Sequence, residues 1–100
     1  MKYHILGISP NCLTFPYLLC RYTDPAEVEA LRQKELTLGV KDSQGEIMVG
    51  GFDGTLPDPA TTGREALAFD TFEAAEAKIH AELAAGSNYL YALHYTLPVP

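Results

Sequence analysis

The chain has 100 residues, 47% of them hydrophobic and 20% charged, which is a typical globular composition and predicts a single domain over residues 1–100. Seven basic and thirteen acidic side chains give a net charge of -6, which argues against direct binding to DNA or RNA because such binding depends on a surplus of Lys and Arg. No apolar run approaches the roughly 20 residues that a membrane-spanning helix requires, so no membrane contact is predicted.

The N-terminal residues 3–8 are rich in strand-forming side chains and predict a first β-strand. Residues 9–11, Ser-Pro-Asn, end this segment before the apolar core of a signal peptide could be completed, which favours a cytoplasmic protein. The apolar segment 13–22 that follows is interrupted by Pro16. Both an edge strand and a loop packed over a central strand are consistent with it.

A helix start follows at Asp24, where Asp24 is the predicted N-cap, Pro25 the first helical residue and Glu27 the residue that closes a capping box. Apolar residues that share one helical face favour a helix that continues past residue 34. The turn-like sequence Asp-Ser-Gln-Gly at 42–45 would also permit a strand from residue 35 and a hairpin. The longer helix is preferred.

Two short strands are predicted in the middle of the chain. Residues 46–49 form the first, and residues 64–69 are predicted to be its partner. The Gly- and Pro-rich residues 50–63 between them predict a long connection.

A second helix and a last strand complete the predicted elements. Residues 70–73, Asp-Thr-Phe-Glu, repeat the capping-box pattern, and Gly86 ends the helix. Residues 89–97 alternate Tyr or Leu with other residues and predict a strand. The order of elements is the βαββαβ pattern of a ferredoxin-like α+β fold, with an antiparallel sheet and two helices on one face.

Several segments resemble YCII-related proteins: residues 44–51 (QGEIMVGG), residues 69–77 (FDTFEAAEA), and the Ala-Ala-Gly at 84–86 with the Tyr-rich strand after it. The resemblance covers residues 1–8 and roughly 45–97. It implies a muconolactone-isomerase-like dimeric α+β barrel, in which the sheets of two protomers face each other and a pocket lies between sheet and helix. A homodimer with a small-molecule ligand is therefore expected.

The same pattern has a His before a Leu on the first helix and an Asp-Pro pair after the second helix as acid/base residues. Here Glu35 precedes Leu36, and no Asp-Pro pair follows Leu83. These two roles are therefore not carried over to this chain.

The first and last strands of this fold are antiparallel neighbours, which places His4 and His94 nearly opposite each other as candidate catalytic residues. Two imidazoles in a partly apolar cavity could transfer protons or bind a metal, while two histidines on a sheet surface are the structural alternative. Tyr89, Tyr91 and Tyr95 on the last strand are candidate ligand-binding residues, and an ordinary core face or a dimer surface explains them equally well.

Charged and thiol side chains elsewhere give weaker signals. Glu73, Glu76 and His80 lie on one flank of the second predicted helix, where a solvated charged surface is favoured over a metal site. Cys12 and Cys20 are too few and too far apart for a zinc knuckle or a CxxC pair, and buried, inert thiols are predicted. No cofactor and no metal is predicted.

Two functions from different classes follow. The first is a small dimeric α+β-barrel protein that binds a small organic molecule near His4, His94 and the Tyr-rich strand. Whether it only binds this molecule or also isomerises or cleaves it is left open by the sequence. The second is a non-enzymatic acidic module that docks through Glu73, Glu76 and His80 and inhibits a protein or a nucleic-acid-binding partner, as small phage inhibitors do. Strong salt dependence would distinguish acidic docking from binding in a pocket.

Overall fold

A hairpin of two strands, β1 (Lys2–Ser9) and β2 (Cys12–Tyr22), forms the middle of the sheet in this computed structural model, which describes residues 2–96. Strand β5 (Leu90–Thr96) pairs with β1, and β3 (Glu46–Val49) pairs with β2, which gives the order β3-β2-β1-β5. A short strand, β4 (Arg64–Ala66), also pairs with β2. All of these pairs are antiparallel, so the predicted α+β class with an antiparallel sheet is confirmed.

Strand β4 lies on the edge of β2 that faces β1. Cys20 is opposite both Ile47 of β3 and Ala66 of β4, so these two strands occupy opposite edges of β2. Beyond β4, Phe69 forms an antiparallel bridge with Tyr3 of β1. The prediction that 64–69 pairs with 46–49 is therefore wrong, because both segments pair with β2.

The segment 13–22 is a central strand rather than an edge strand or a loop. Pro16 is tolerated because it lies before the residues of β2 that pair with β3, next to the irregular part of the β1–β2 ladder between Gly7 and Ser9. The observed element order is ββαβαβαβ, so the predicted order βαββαβ lacks both β2 and a short helix at Pro59–Thr62. The arrangement stays compatible with a ferredoxin-like fold in that the first and last strands are neighbours.

The first long helix, α1 (Pro25–Leu38), begins and ends where the local signals place it. The Asp24 side chain accepts a hydrogen bond from the backbone N–H of Ala26 at 2.9 Å, and Gly39 takes a left-handed conformation at the C-terminus. The prediction of a helix that continues past residue 34, rather than a strand and hairpin from residue 35, is therefore confirmed. Helix α1 contributes no buried residue and lies at the periphery, against β2.

Helix α3 (Phe72–Ala84) covers one face of the sheet and follows the short helix α2 (Pro59–Thr62). Its Ala75 is fully buried, and Ile79 packs against a core of buried residues that also receives side chains from β3 and β5. No helix within residues 2–96 is long and apolar enough to cross a membrane. The core consists of Ile5, Leu19 and Leu67, with Met48, Phe69, Ile79, Tyr91 and Leu93 packed around it.

The N-cap of α3 is Thr71, one residue later than the capping-box pattern predicted. The Thr71 hydroxyl accepts from the backbone N–H of Ala74 at 3.1 Å, whereas the Asp70 carboxylate pairs with Lys2 on the surface. We expect Thr71→Ala to lower the free energy of unfolding by about 1 kcal/mol, since it leaves a helical N–H without its acceptor. Urea denaturation of this variant is the measurement, with Thr71→Ser as the matched control that keeps the hydroxyl. A larger loss in Asp70→Ala than in Thr71→Ala would contradict this assignment.

Candidate functional site

Alternation along the strands separates the predicted site residues onto two faces of the sheet. His4 is opposite His94 in the register of β1 and β5, and Tyr3 is opposite Tyr95 in the next position. Tyr91 belongs to the core under α3, so the tyrosines lie on the helix-covered face. The structure thus brings His4 and His94 together, as predicted. They lie on the face of the sheet opposite to the tyrosines and to α3, which we call the histidine face.

His4 is only 3% exposed, and both of its ring nitrogens have partners. Nδ1 lies 3.2 Å from the carbonyl oxygen of Leu67, and Nε2 lies 3.3 Å from the hydroxyl oxygen of Thr96. A carbonyl oxygen can only accept, so Nδ1 carries the proton and Nε2 accepts from the Thr96 hydroxyl. Burial lowers the pKa of His4; the Leu67 hydrogen bond opposes this effect, and the nearby His94 adds to it. His4 is therefore a neutral imidazole held at both nitrogens.

His94 is less buried and has an aromatic neighbour on the same face. Its ring centroid lies 6.2 Å from that of His4 and 5.4 Å from that of Phe52, which meets it edge to face. Phe52 belongs to the segment 50–57, which is anchored to β2 by a hydrogen bond from the N–H of Phe52 to the carbonyl of Pro16 at 3.1 Å. This segment covers part of the histidine face.

A cavity of about 140 Å³ lies between the segment 50–57 and the side chains of Leu18, Cys20 and Val49. Small-molecule sites typically enclose about 300–1,000 Å³, so this cavity is small for a ligand. Burial raises the pKa of the Cys20 thiol to about 11, while Arg64 acts in the opposite direction. Cys20 is therefore a protonated thiol at neutral pH, as predicted, whereas Cys12 is exposed rather than buried.

The three predicted ligand-binding tyrosines belong to two separate groups of aromatic side chains. The ring centroid of Tyr89 lies 5.3 Å from that of Tyr17 and 6.2 Å from that of Tyr91. Tyr95 lies 6.3 Å from Tyr3 at the other end of β5. Burial raises the pKa of Tyr89, and the two neighbouring tyrosines raise it further. These rings mostly contact one another, which is the packing of a partly buried sheet face.

Glu73, Glu76 and His80 are exposed on α3, as expected for a solvated flank. No group of three His, Cys, Asp or Glu side chains in the described part of the chain is arranged to hold a metal ion.

A larger cleft, which the sequence did not reveal, lies between the C-terminal half of α3, β3 and the residues 41–44. Its volume is about 290 Å³. The buried Leu19 and the partly buried Met48 form an apolar floor, and the charged side chains of Glu46, Lys78 and Glu82 line its wall. We call it the lysine cleft.

Lys78 is the central charge of this cleft. Its Nζ donates to Oε1 of Glu46 at 2.6 Å and lies 3.0 Å from Oε1 of Glu82, and Arg21 approaches Glu46 from the other side at 3.9 Å. Burial acts to lower the pKa of Lys78, but the hydrogen bonds and charges of Glu46 and Glu82 outweigh it and raise the pKa. Lys78 is therefore a fixed ammonium, and two of its three N–H donors point to carboxylates.

Helix α1 holds the rim of the lysine cleft in place. The Glu35 carboxylate accepts from the backbone N–H of Ser43 at 3.1 Å and from its hydroxyl at 3.0 Å. Arg32 reaches Asp42 at 3.6 Å. Glu35 therefore connects α1 to this rim through both oxygens of its carboxylate.

Comparison with family models, with curated proteins and with solved structures finds no match. The resemblance to YCII-related proteins therefore stays a prediction, and the functional argument rests on the geometry of the two faces.

The burial of His4 predicts a pH dependence of stability. Its pKa in the folded protein is below the ordinary 6.5, so the unfolded chain binds more protons once the pH falls below that value. The free energy of unfolding should therefore decrease as the pH falls from about 6.5 toward the folded pKa of His4. Chemical denaturation at about pH 7.5 and pH 5.5 measures this slope, which His4→Gln should reduce. The exposed His80→Gln is the control, and an equal slope in both variants would show that His4 is not responsible.

Proposed function

We propose that the chain binds a small polar organic molecule in the lysine cleft. The observation that carries this proposal is the ammonium of Lys78, whose side chain is 24% exposed and which is hydrogen-bonded to Glu46 beside an apolar floor. The volume of about 290 Å³ is close to the lower end of the range for small-molecule sites, whereas the cavity on the histidine face is about half as large.

The polar groups of the cleft define the class of ligand. Lys78 has one N–H donor left for an acceptor such as a carboxylate, and the carboxylate of Glu82 has lone pairs for an ammonium or hydroxyl donor. Arg21 and Lys78 offset the charges of Glu46 and Glu82, so the inner part of the cleft favours a ligand without net charge. An amino acid with a short aliphatic side chain, which is a zwitterion without net charge at neutral pH, has this combination of donor, acceptor and apolar group.

This proposal is one of binding and does not use His4 and His94. Both nitrogens of His4 are occupied, and the pair lies on the face of the sheet away from the lysine cleft. The catalytic role of the two histidines and the ligand-binding role of Tyr89, Tyr91 and Tyr95 stay predictions. So does a homodimer in which the sheets of two protomers face each other.

Titration with a panel of free amino acids, with the corresponding negatively charged hydroxy acids as a comparison, followed by ¹H–¹⁵N NMR spectra, tests the proposed site. We expect shift changes in residues 41–48 and 78–85. Lys78→Met should weaken binding about 10-fold or more, which is the loss of about 1.4 kcal/mol of interaction free energy. Lys34→Met removes an exposed lysine from α1 and is the matched control.

A second variant, Glu82→Gln, keeps the size of the side chain and tests the same cleft if Lys78→Met proves unstable. Shift changes confined to the histidine face would move the site there. No binding by any member of the panel, or equal binding by Lys78→Met and Lys34→Met, would contradict the proposal.

The acidic docking module is a second candidate function, favoured by the position of Glu73 and Glu76 on an exposed flank. Four of the cations in the described structure pair with carboxylates other than Glu73 and Glu76: Lys2, Arg21, Arg32 and Lys78. These cations therefore do not neutralise the negative charges of the flank.

The affinity for an immobilised oligolysine peptide, compared at about 50 and 300 mM salt, measures how much the acidic flank contributes to electrostatic binding. The double variant Glu73→Lys, Glu76→Lys should lose most of the low-salt binding. The control, Glu27→Lys with Glu65→Lys, changes the net charge equally at two other exposed positions. Equal losses in both double variants would show that net charge alone acts, and would reject the flank as a docking surface.

A further inference from the structure

The outer edge of β5 is a regular row of backbone groups. Strand β5 pairs with β1 through an unbroken register from Leu90 to Thr96, and no strand in residues 2–96 pairs with its other side. Alternate residues along this seven-residue strand therefore direct their N–H and C=O groups away from β1, as in any edge strand. Such an edge is a template for a further strand.

The opposite edge of the sheet differs in length and charge. Strand β3 has four residues, and its Glu46 is engaged by Lys78 of the covering helix. Strand β5 has seven residues, with no charged residue, no proline and no bulge. Short length, charge, proline and bulges are the features that ordinarily prevent edges from pairing, so β3 is protected and β5 is not.

The charge pattern favours a second copy of this chain as the partner of β5. The chain carries a net charge of -6, so two copies repel each other over most of their surfaces. Each of the other described strands contains a charged residue, whereas β5 contains none. Pairing β5 with β5 therefore brings the two chains together along the strand where like charges do not meet.

Exposed apolar side chains flank the edge on both faces. Leu90 is 71% exposed, and its cross-strand partner Ile8 on the histidine face is 39% exposed. Tyr95 on the other face is 55% exposed. A strand placed beside β5 would cover Leu90 and Tyr95, and the burial of their apolar area would stabilise such a contact.

We propose that β5 pairs antiparallel with β5 of a second copy about a twofold axis, which joins two five-stranded sheets into one of ten strands. In such a twofold contact each β5 meets the same strand of the other copy, and since β5 carries no charged residue, no like charges are brought together. With the axis normal to the sheet, both histidine faces lie on the same side of the joined sheet. This interface differs from the face-to-face packing that the resemblance implies.

The dimer does not depend on the proposed ligand. The lysine cleft lies beside β3, at the opposite end of the strand order from β5. A failure of ligand binding and a failure of dimerisation are therefore separate results.

Light scattering coupled to size-exclusion chromatography tests the interface. The chain has a mass of 10.9 kDa, and we expect about twice that, near 22 kDa, at high protein concentration. Ala92→Lys introduces a charge at an exposed position of β5 and should raise the dimer dissociation constant at least about 10-fold. Ala77→Lys makes the same change at an exposed position of α3 and should leave the dimer unchanged. Both variants lower the net negative charge equally, so a difference between them reports on the strand.

Amide hydrogen exchange gives a second readout. The outward N–H groups of β5 should be protected in the wild-type dimer and exchange rapidly in Ala92→Lys. Leu90→Lys, at a largely exposed side chain, replaces Ala92→Lys if that variant does not fold. A wild-type chain that stays at 10.9 kDa up to about 500 µM, or a dimer that persists in Ala92→Lys and Leu90→Lys, would overturn the proposal.

Discussion

The pairing of β2 on both of its edges is the constraint on which the rest of the structure depends. Its residues Leu18, Leu19 and Cys20 are at most 3% exposed, and their side chains alternate between the two faces of the sheet. Leu19 enters the core under α3 and also forms the floor of the lysine cleft, while Leu18 and Cys20 lie under the segment 50–57. Because β1, β3 and β4 all hydrogen-bond to this strand, its position decides where each face places its side chains.

Strand periodicity assigns different chemistry to the two faces. The histidine face carries a neutral, fully hydrogen-bonded His4 beside an aromatic contact between His94 and Phe52. The helix-covered face carries the charged group of Lys78 next to apolar side chains, in a cleft of twice the volume. The imidazole of His4 has both nitrogens engaged, whereas the ammonium of Lys78 directs two of its three donors to carboxylates within residues 2–96 and lies at an open cleft, which is why the ligand is proposed there.

The distribution of charge connects the cleft, the acidic flank and the edge strand. Several of the seven basic side chains form ion pairs within the protein. Among these, Lys78 connects α3 to β3 through Glu46. The carboxylates of Glu73 and Glu76 remain exposed, so the chain repels copies of itself over much of its surface. An uncharged β5 at one edge of the sheet is consequently the strand along which two copies approach with the least repulsion.

Local signals in the sequence determined both ends of α1, since capping at Asp24 and Gly39 depends on residues only a few positions apart, and they located the start of α3 to within one residue. They also determined the strand β5 and, through the adjacency of the first and last strands, the pairing of His4 with His94. Only the tertiary structure decided that 12–22 is a central strand. Pro16 lacks a backbone N–H and so favours an edge strand, but in the fold it lies outside the residues of β2 that are in register with β1 and β3. The tertiary structure also forms the lysine cleft. Lys78 and Glu46 are 32 residues apart in the sequence, and their ion pair exists only when α3 is packed on the sheet. The physical reason is the same in both cases: capping and strand alternation act within one turn or one strand, whereas strand order, burial and ion pairing arise from residues that the folded chain brings together.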